Sequence, residues 1–198
     1  MSDLIDRLRA ASLRARTVSS DYDLTPSSRP QPGQVLRPAA VLVGLLPAKS
    51  GPEVILTMRS SKLRHHPGQI AFPGGKHDPE DADLTATALR EAREEIGLDP
   101  AQVEVFAQFP NHETVTGFAM TPILAQIHGP FAPKPEAGEV AEVFRVPFSH
   151  LADLNSYRIE RRMLQGQWRN YYTVPWGPYY IWGATAKILH NIAVQLSE

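Results

Sequence analysis

The chain contains no cysteine, which excludes disulfides, thiolate zinc sites and a cysteine nucleophile. It has no apolar run approaching the roughly 18–20 residues that span a bilayer. An excess of either charge is also missing: 20 Lys and Arg against 21 Asp and Glu give a formal charge of −1. Nothing in that balance draws the chain toward nucleic acid or an anionic membrane. The opening residues, MSDLIDRLRAASLRAR, mix acids with arginines and lack the apolar centre of a secretory signal, so a cytoplasmic location is the expectation. No internal repeat, low-complexity block or break in composition stands out. At 198 residues and 42% apolar, the chain is long enough for one domain, or one domain with extensions.

An amphipathic helix is predicted from Asp3 to about Leu13, with Leu4, Ile5, Leu8 and Leu13 toward one side. Val18 to Gly33 is rich in Ser, Pro and Asp and reads as a tether lying over the body. Pro38–Leu46 and Glu53–Arg59 read as strands joined by a turn over Ala48–Pro52. Further strands are predicted at Val103–Phe109, Met120–Ile127 and Val143–Val146, the last leading into a helical turn near Phe148–Leu151. A hairpin is predicted from Tyr157–Ile159 and Trp168–Val174, and a closing helix from Trp182 to Leu196. Gly129–Gly138, with three prolines, reads as a mobile surface loop. Tyr171, Tyr172, Trp176, Tyr179, Tyr180 and Trp182 are read as core and sheet packing rather than an adenine platform.

The unusual stretch is Phe72–Leu98, FPGGKHDPEDADLTATALREAREEIGL. A helix over about Ala82–Ile96 places Ala88, Leu89, Ala92 and Ile96 on one side and Glu91, Glu94 and Glu95 on the adjacent side. Asp81 or Asp83 can cap its start, and Gly97 its end. Three carboxylates near a helix C-terminus repel one another and oppose the macrodipole. Pairing of Arg90 with Glu94 would account for Glu94 but leaves Glu91 and Glu95 without a reason. A hard divalent cation, Mg²⁺ or Mn²⁺, would supply one. DPEDAD does not make an EF-hand loop, because the glycine and terminal glutamate are absent at the required offsets. Just upstream lie Lys62, Arg64, His65 and His66. A basic cluster followed by an acidic one suits a phosphate ester held on a metal. His65 and His66, as chain neighbours, point apart in extended backbone and are not read as a metal pair.

Arg90-Glu91-Ala92-Arg93-Glu94-Glu95-Ile96-Gly97-Leu98 resembles the core of the Nudix box, the signature of the Nudix hydrolases. Counted from Gly75, the box's first acidic position falls on Asp81, and eight residues rather than the usual seven separate it from Arg90. That longer spacing resembles the coenzyme A pyrophosphatase branch. So does the run Ile55-Leu56-Thr57-Met58-Arg59-Ser60, Arg64, Gly68, Phe72-Pro73-Gly74-Gly75, in which only the first position differs from that branch's pattern. EVAEVFRVP (Glu139–Pro147) and YYIWGATAKIL (Tyr179–Leu189) are similar to family features but less diagnostic.

The resemblance implies an α/β fold, a Nudix-type α/β/α sandwich around a mixed β-sheet. It divides the chain into residues 1–34, helix and tether, and 35–198, the Nudix domain. It implies Mg²⁺ or Mn²⁺ as cofactor, held by Glu91 and Glu95, with Glu94 as a further ligand or acting through water. Glu139 and Glu142 are candidates for the general base. Arg59 and Arg64 are candidates to bind the substrate's 3′-phosphate, with Gly74 and Gly75 on the phosphate-binding side. Arg90 and Asp81 take structural places. The implied reaction is cleavage of coenzyme A, or a derivative, to 3′,5′-ADP and 4′-phosphopantetheine. The alternatives are hydrolysis of ADP-ribose or another nucleoside diphosphate derivative, or a non-catalytic nucleotide sensor. The expected partner is a small-molecule substrate, not nucleic acid or membrane, with a homodimer left open.

Overall fold

Ala39 to Leu46 is buried without interruption, the pattern of a strand covered on both faces. The computed structural model describes residues 1–29, 33, 35–164 and 166–198; residues 30–32 and 34, in and beside the predicted tether, lie outside them. Helix α1 (Ser2–Arg14) is followed by strands β1 (Ser19–Ser20), β2 (Arg37–Leu46), β3 (Glu53–Arg59), β4 (Ile70–Ala71) and β5 (Gly74–Lys76). Helix α2 (Leu84–Ile96) leads to β6 (Val103–Gln108), β7 (His112–Glu113), β8 (Phe118–Ile127) and β9 (Val140–Pro147). Helix α3 (Phe148–Ala152), the hairpin β10 (Arg158–Leu164) and β11 (Gln167–Thr173), and helix α4 (Gly183–Ser197) complete the chain.

β1 to β9 form one mixed sheet, and β10–β11 a separate two-stranded one. β2 runs parallel to β8 from Arg37↔Phe118 to Leu45↔Gln126 and antiparallel to β5 at Ala39–Val41. β3 pairs antiparallel with β9, with a bulge at Met58/Arg59. Because side chains alternate along a strand, β2 feeds two cores. Val41, Val43 and Leu45 pack with Leu8 and Ala11 of α1 and Ile188, Leu189 and Ile192 of α4. Ala40, Leu42 and Leu46 pack with Ala88, Ala92 and Ile96 of α2. Full burial of Ile96 alone contributes about 1.5–3 kcal/mol. The layers are therefore helix, sheet, helix, with α2 alone among the long helices on its face. Among the described residues no helix is long and apolar enough to cross a membrane.

The differences from the sequence reading have local causes. α2 starts at Leu84, not Ala82, because Asp83 takes the cap position and accepts from the Ala86 N–H at 2.7 Å. β9 and β10 run longer than expected, since polar residues on their open faces break the apolar pattern, and β11 is displaced by one residue. The tether is not merely draped over the body. Ser19 and Ser20 pair in parallel with His112 and Glu113, and the buried His112 ring sits between Ser19 Oγ (2.9 Å) and Asp21 Oδ1 (3.0 Å). The proline loop, expected to be mobile, docks on the end of α2. The Lys134 N–H donates to the Ile96 carbonyl at 2.8 Å and the Glu136 N–H to the Glu95 carbonyl at 2.9 Å, satisfying two carbonyls that a helix end leaves open.

Candidate active site

β5 presses so closely on β2 that a Cβ at Gly74 would collide with the Ala40 carbonyl oxygen and the Val41 backbone. A Cβ at Gly75 would lie 2.5–2.6 Å from the Glu91 carboxylate. The two glycines thus open a cradle into which two carboxylates from adjoining turns of α2 reach. Glu95 is 4% exposed, and one oxygen accepts from the Gly74 N–H at 3.1 Å. Burial pushes its pKa up to about 7; the Gly74 N–H opposes that rise, the Glu91 charge adds to it, Arg59 opposes it and Glu139 adds to it. Glu91 is raised as well, first by burial, against the pull of Arg90, with Glu94 and Glu139 adding repulsion.

Arg90 closes the outer side. Its Nε and Nη2 grip Asp81 at 2.8 and 3.0 Å, and Nη1 donates to both Glu91 and Glu94 at 3.0 Å. Nη2 also donates to the Lys76 carbonyl at 3.2 Å. Asp81 therefore does not cap the helix. Its carboxyl is held well below the usual carboxylate range, first by the Arg90 hydrogen bonds and also by the Asp78 N–H and Thr87 hydroxyl. The extra residue in the Asp81–Arg90 spacing is absorbed in the loop, leaving Asp83 to cap. Thr87, which bonds Asp81 at 2.9 Å and lies 2.8 Å from His77 Nδ1, is a support the sequence reading missed. A hydroxyl one turn inside the helix on the Asp81 side was the available signal.

Arg59 ends β3 at the bulge, and its charge is felt at Glu95. Its buried Nε has no hydrogen-bond partner among the described residues. Glu139 lies close enough for its charge to raise both Glu91 and Glu95. Glu142 is not brought to this group. It shares strand parity with Phe144, which faces the α4 side, and it accepts from the Tyr179 hydroxyl at 2.6 Å; Tyr179 in turn stacks on Phe144 at 3.6 Å. Arg64, His65 and His66 are exposed on the loop before β4.

Among the described residues no three carboxylate or imidazole groups form a closed metal cage. The donor set still fits a cation: Glu91 and Glu95 are crowded, largely desolvated and mutually repelling, and Glu94 lies alongside. Mg²⁺ in particular is commonly bound through one or two carboxylates, with water and substrate oxygens completing its shell.

A pH effect follows for the metal-free protein. Between the ordinary glutamate value of 4.5 and about 7, folded Glu95 retains a proton that the unfolded chain has released. Its contribution to stability therefore falls as pH rises through that window, by about 3 kcal/mol at most. Thermal melts of metal-free protein from pH 5 to 8 should show a falling midpoint, flattened in Glu95→Gln. Identical slopes for the two proteins would contradict the assignment.

A helix–sheet–helix frame with a glycine cradle facing two helix glutamates defines a class: the chain belongs to the Nudix family, whose NUDIX domain model matches residues 35–166. It is a Nudix hydrolase, and such enzymes generally use divalent metal ions. It is 39% identical over 178 residues to a protein of Pectobacterium atrosepticum named uncharacterized Nudix hydrolase NudL, covering 88% of this chain and 90% of that one. The NudL protein of an Enterobacter species is 40% identical, with 81% and 83% covered. In structure the chain is similar to RenU, a Nudix hydrolase from M. smegmatis, at 26% identity and a TM-score of 0.52, covering 62% of this chain and 84% of that one. A C. elegans Ap4A hydrolase shares the fold at 20% identity and a TM-score of 0.50, covering 56% and 80%.

Proposed function

We propose that this Nudix hydrolase cleaves the diphosphate bond of coenzyme A and its derivatives, giving 3′,5′-ADP and 4′-phosphopantetheine or its acyl form. The observation that carries the reading is the placement of Arg59, whose buried Nε has no partner among the described residues, within charge reach of Glu95 at the Gly74–Gly75 cradle. Arg59, Gly74 and Gly75 all belong to the run that resembles the coenzyme A pyrophosphatase branch. Mg²⁺ or Mn²⁺, held by Glu91 and Glu95 with Glu94 as a further ligand or acting through water, supplies Lewis acidity toward the phosphoryl oxygens and the attacking water.

The remaining work falls to the chain. The Gly74 N–H fixes the Glu95 carboxylate, and Arg90 fixes Glu91 and Glu94 against the Asp81 loop. Glu139 takes the proton from the water that adds to phosphorus as the bridging P–O bond breaks; Glu142, committed to Tyr179, is left out of this role. Arg59 and Arg64 meet the anionic oxygens, the 3′-phosphate among them.

A substrate panel tests the specificity. Coenzyme A should be hydrolysed far faster than ADP-ribose or nucleoside triphosphates. Arg64→Ala should lower kcat/KM on coenzyme A roughly tenfold more than on its 3′-dephospho form, the loss of one charge-assisted contact. Equal rates across the panel would reduce the reading to hydrolysis of nucleoside diphosphate derivatives in general. An equal loss on the two coenzyme A forms would remove Arg64 from the 3′-phosphate.

A further inference from the structure

Hairpin β10–β11 pairs with no other strand among the described residues, and its two outer edges differ. Beside β11 lies the N-terminal segment: the Asn170 N–H donates to Thr25 Oγ1 at 3.0 Å and its side-chain amide to the Leu24 carbonyl at 3.1 Å. Beside β10 none of the described residues gives such cover, and every residue from Arg158 to Met163 is exposed. Ile159 (56%), Met163 (49%) and Trp168 (55%) are large apolar side chains left in water. Met163 pairs with Trp168 in the hairpin register, and strand alternation puts Ile159 on that same face. A two-stranded hairpin is marginal on its own, and an open edge backed by apolar side chains is a template for another strand.

We propose that β10 pairs antiparallel with β10 of a second copy of this chain about a two-fold axis at Arg161, making a four-stranded sheet across the dimer. A two-fold contact must be self-complementary, and only registers pairing residues of the same parity keep each side chain on its face. Centred on Arg161, the pairing sets Glu160 opposite Arg162 of the partner subunit, twice over, and Ile159 opposite Met163 of the partner subunit, twice over. Centred on Glu160, it would instead set Glu160 against itself and Arg158 against Arg162. Centred on Arg162, it would set Arg162 against itself and lose both ion pairs.

The like charges at Arg161 are relieved by the hairpin itself. The Arg161 guanidinium lies 5.0 Å over its own Trp168 ring, drawn toward β11 and away from the axis. Glu160 uses Oε2 to accept from the Tyr180 hydroxyl at 2.6 Å, which leaves Oε1 for the second copy. Arg162 is steadied over Trp182 at 4.9 Å.

Sedimentation equilibrium of the full chain from about 5 to 200 μM tests the pairing, the range suited to a small interface. The wild type should show a monomer–dimer equilibrium within that range. Glu160→Arg and Arg162→Glu should each weaken association roughly tenfold or more, since cross-strand attraction becomes repulsion. An equimolar mixture of the two variants should recover the dimer, because each then meets its opposite charge, and the double variant should recover it alone. Circular dichroism melts confirm that each variant is folded. A wild type that stays monomeric, single variants that dimerise like the wild type, or a mixture that fails to recover would each overturn the proposal.

Discussion

Glu95→Gln is expected to lower turnover by roughly 10³-fold or more, while the protein melts at an unchanged or higher temperature at pH 8. The activity loss is what removing one carboxylate from a two-glutamate cation site would cost, since the cation supplies several kcal/mol of charge stabilisation in the transition state. The stability change has the opposite sign because Glu95 is 4% exposed and its pKa is pushed up to about 7, chiefly by burial. The amide removes a charge that the fold disfavours, and its oxygen can still accept from the Gly74 N–H. A purely structural glutamate would behave the other way, losing stability and keeping its rate. Steady-state kinetics with Mg²⁺, set beside calorimetry without metal, separates the two. Substantial activity in the variant would remove the metal role from Glu95.

Asp81→Ala is expected to cost about 2–3 kcal/mol, the range for losing charge-assisted hydrogen bonds from a largely buried acceptor. Asp81 takes two bonds from Arg90 and one from Thr87, and it is the fixed point between the acidic loop and α2. Freed of Asp81, the Arg90 guanidinium would fall wholly to Glu91 and Glu94 and compete with a cation there. The metal concentration giving half-maximal activity should rise roughly 10- to 100-fold, as for other groups that orient metal ligands. The depressed pKa also gives this pair an acid limit. Its stabilisation is fully present above the ordinary value of 3.8 and is lost as pH falls below it. Urea unfolding and metal titration of the variant measure both effects, and an unchanged unfolding midpoint would mean that the pair holds nothing together.

The glutamates of α2 were legible because a 3.6-residue period fixes which residues share a helix face, and nothing outside the helix alters that. Gly74 and Gly75 were legible as a motif, but not the reason for them: that depends on how near β5 lies to β2, a tertiary distance. The role of Asp81 could not be separated from that of Asp83 on spacing alone. Both are acids near the helix start, and only the reach of Arg90 decides between them. Glu139 and Glu142 look equivalent in sequence, yet strand parity sends Glu142 toward Tyr179. The pairing of Ser19–Ser20 with β7 left no pattern to read, because two residues are too few for a period. The docking of the proline loop was hidden for a similar reason, since its contacts run through backbone N–H groups that every sequence carries.

The most direct test of the proposed function is product analysis by liquid chromatography and mass spectrometry after incubating the enzyme with coenzyme A and Mg²⁺ or Mn²⁺. The account predicts 3′,5′-ADP and 4′-phosphopantetheine in equal amounts, with neither formed when the metal is chelated. Intact coenzyme A from an enzyme preparation that hydrolyses another nucleoside diphosphate derivative, or products that form equally well without metal, would contradict it.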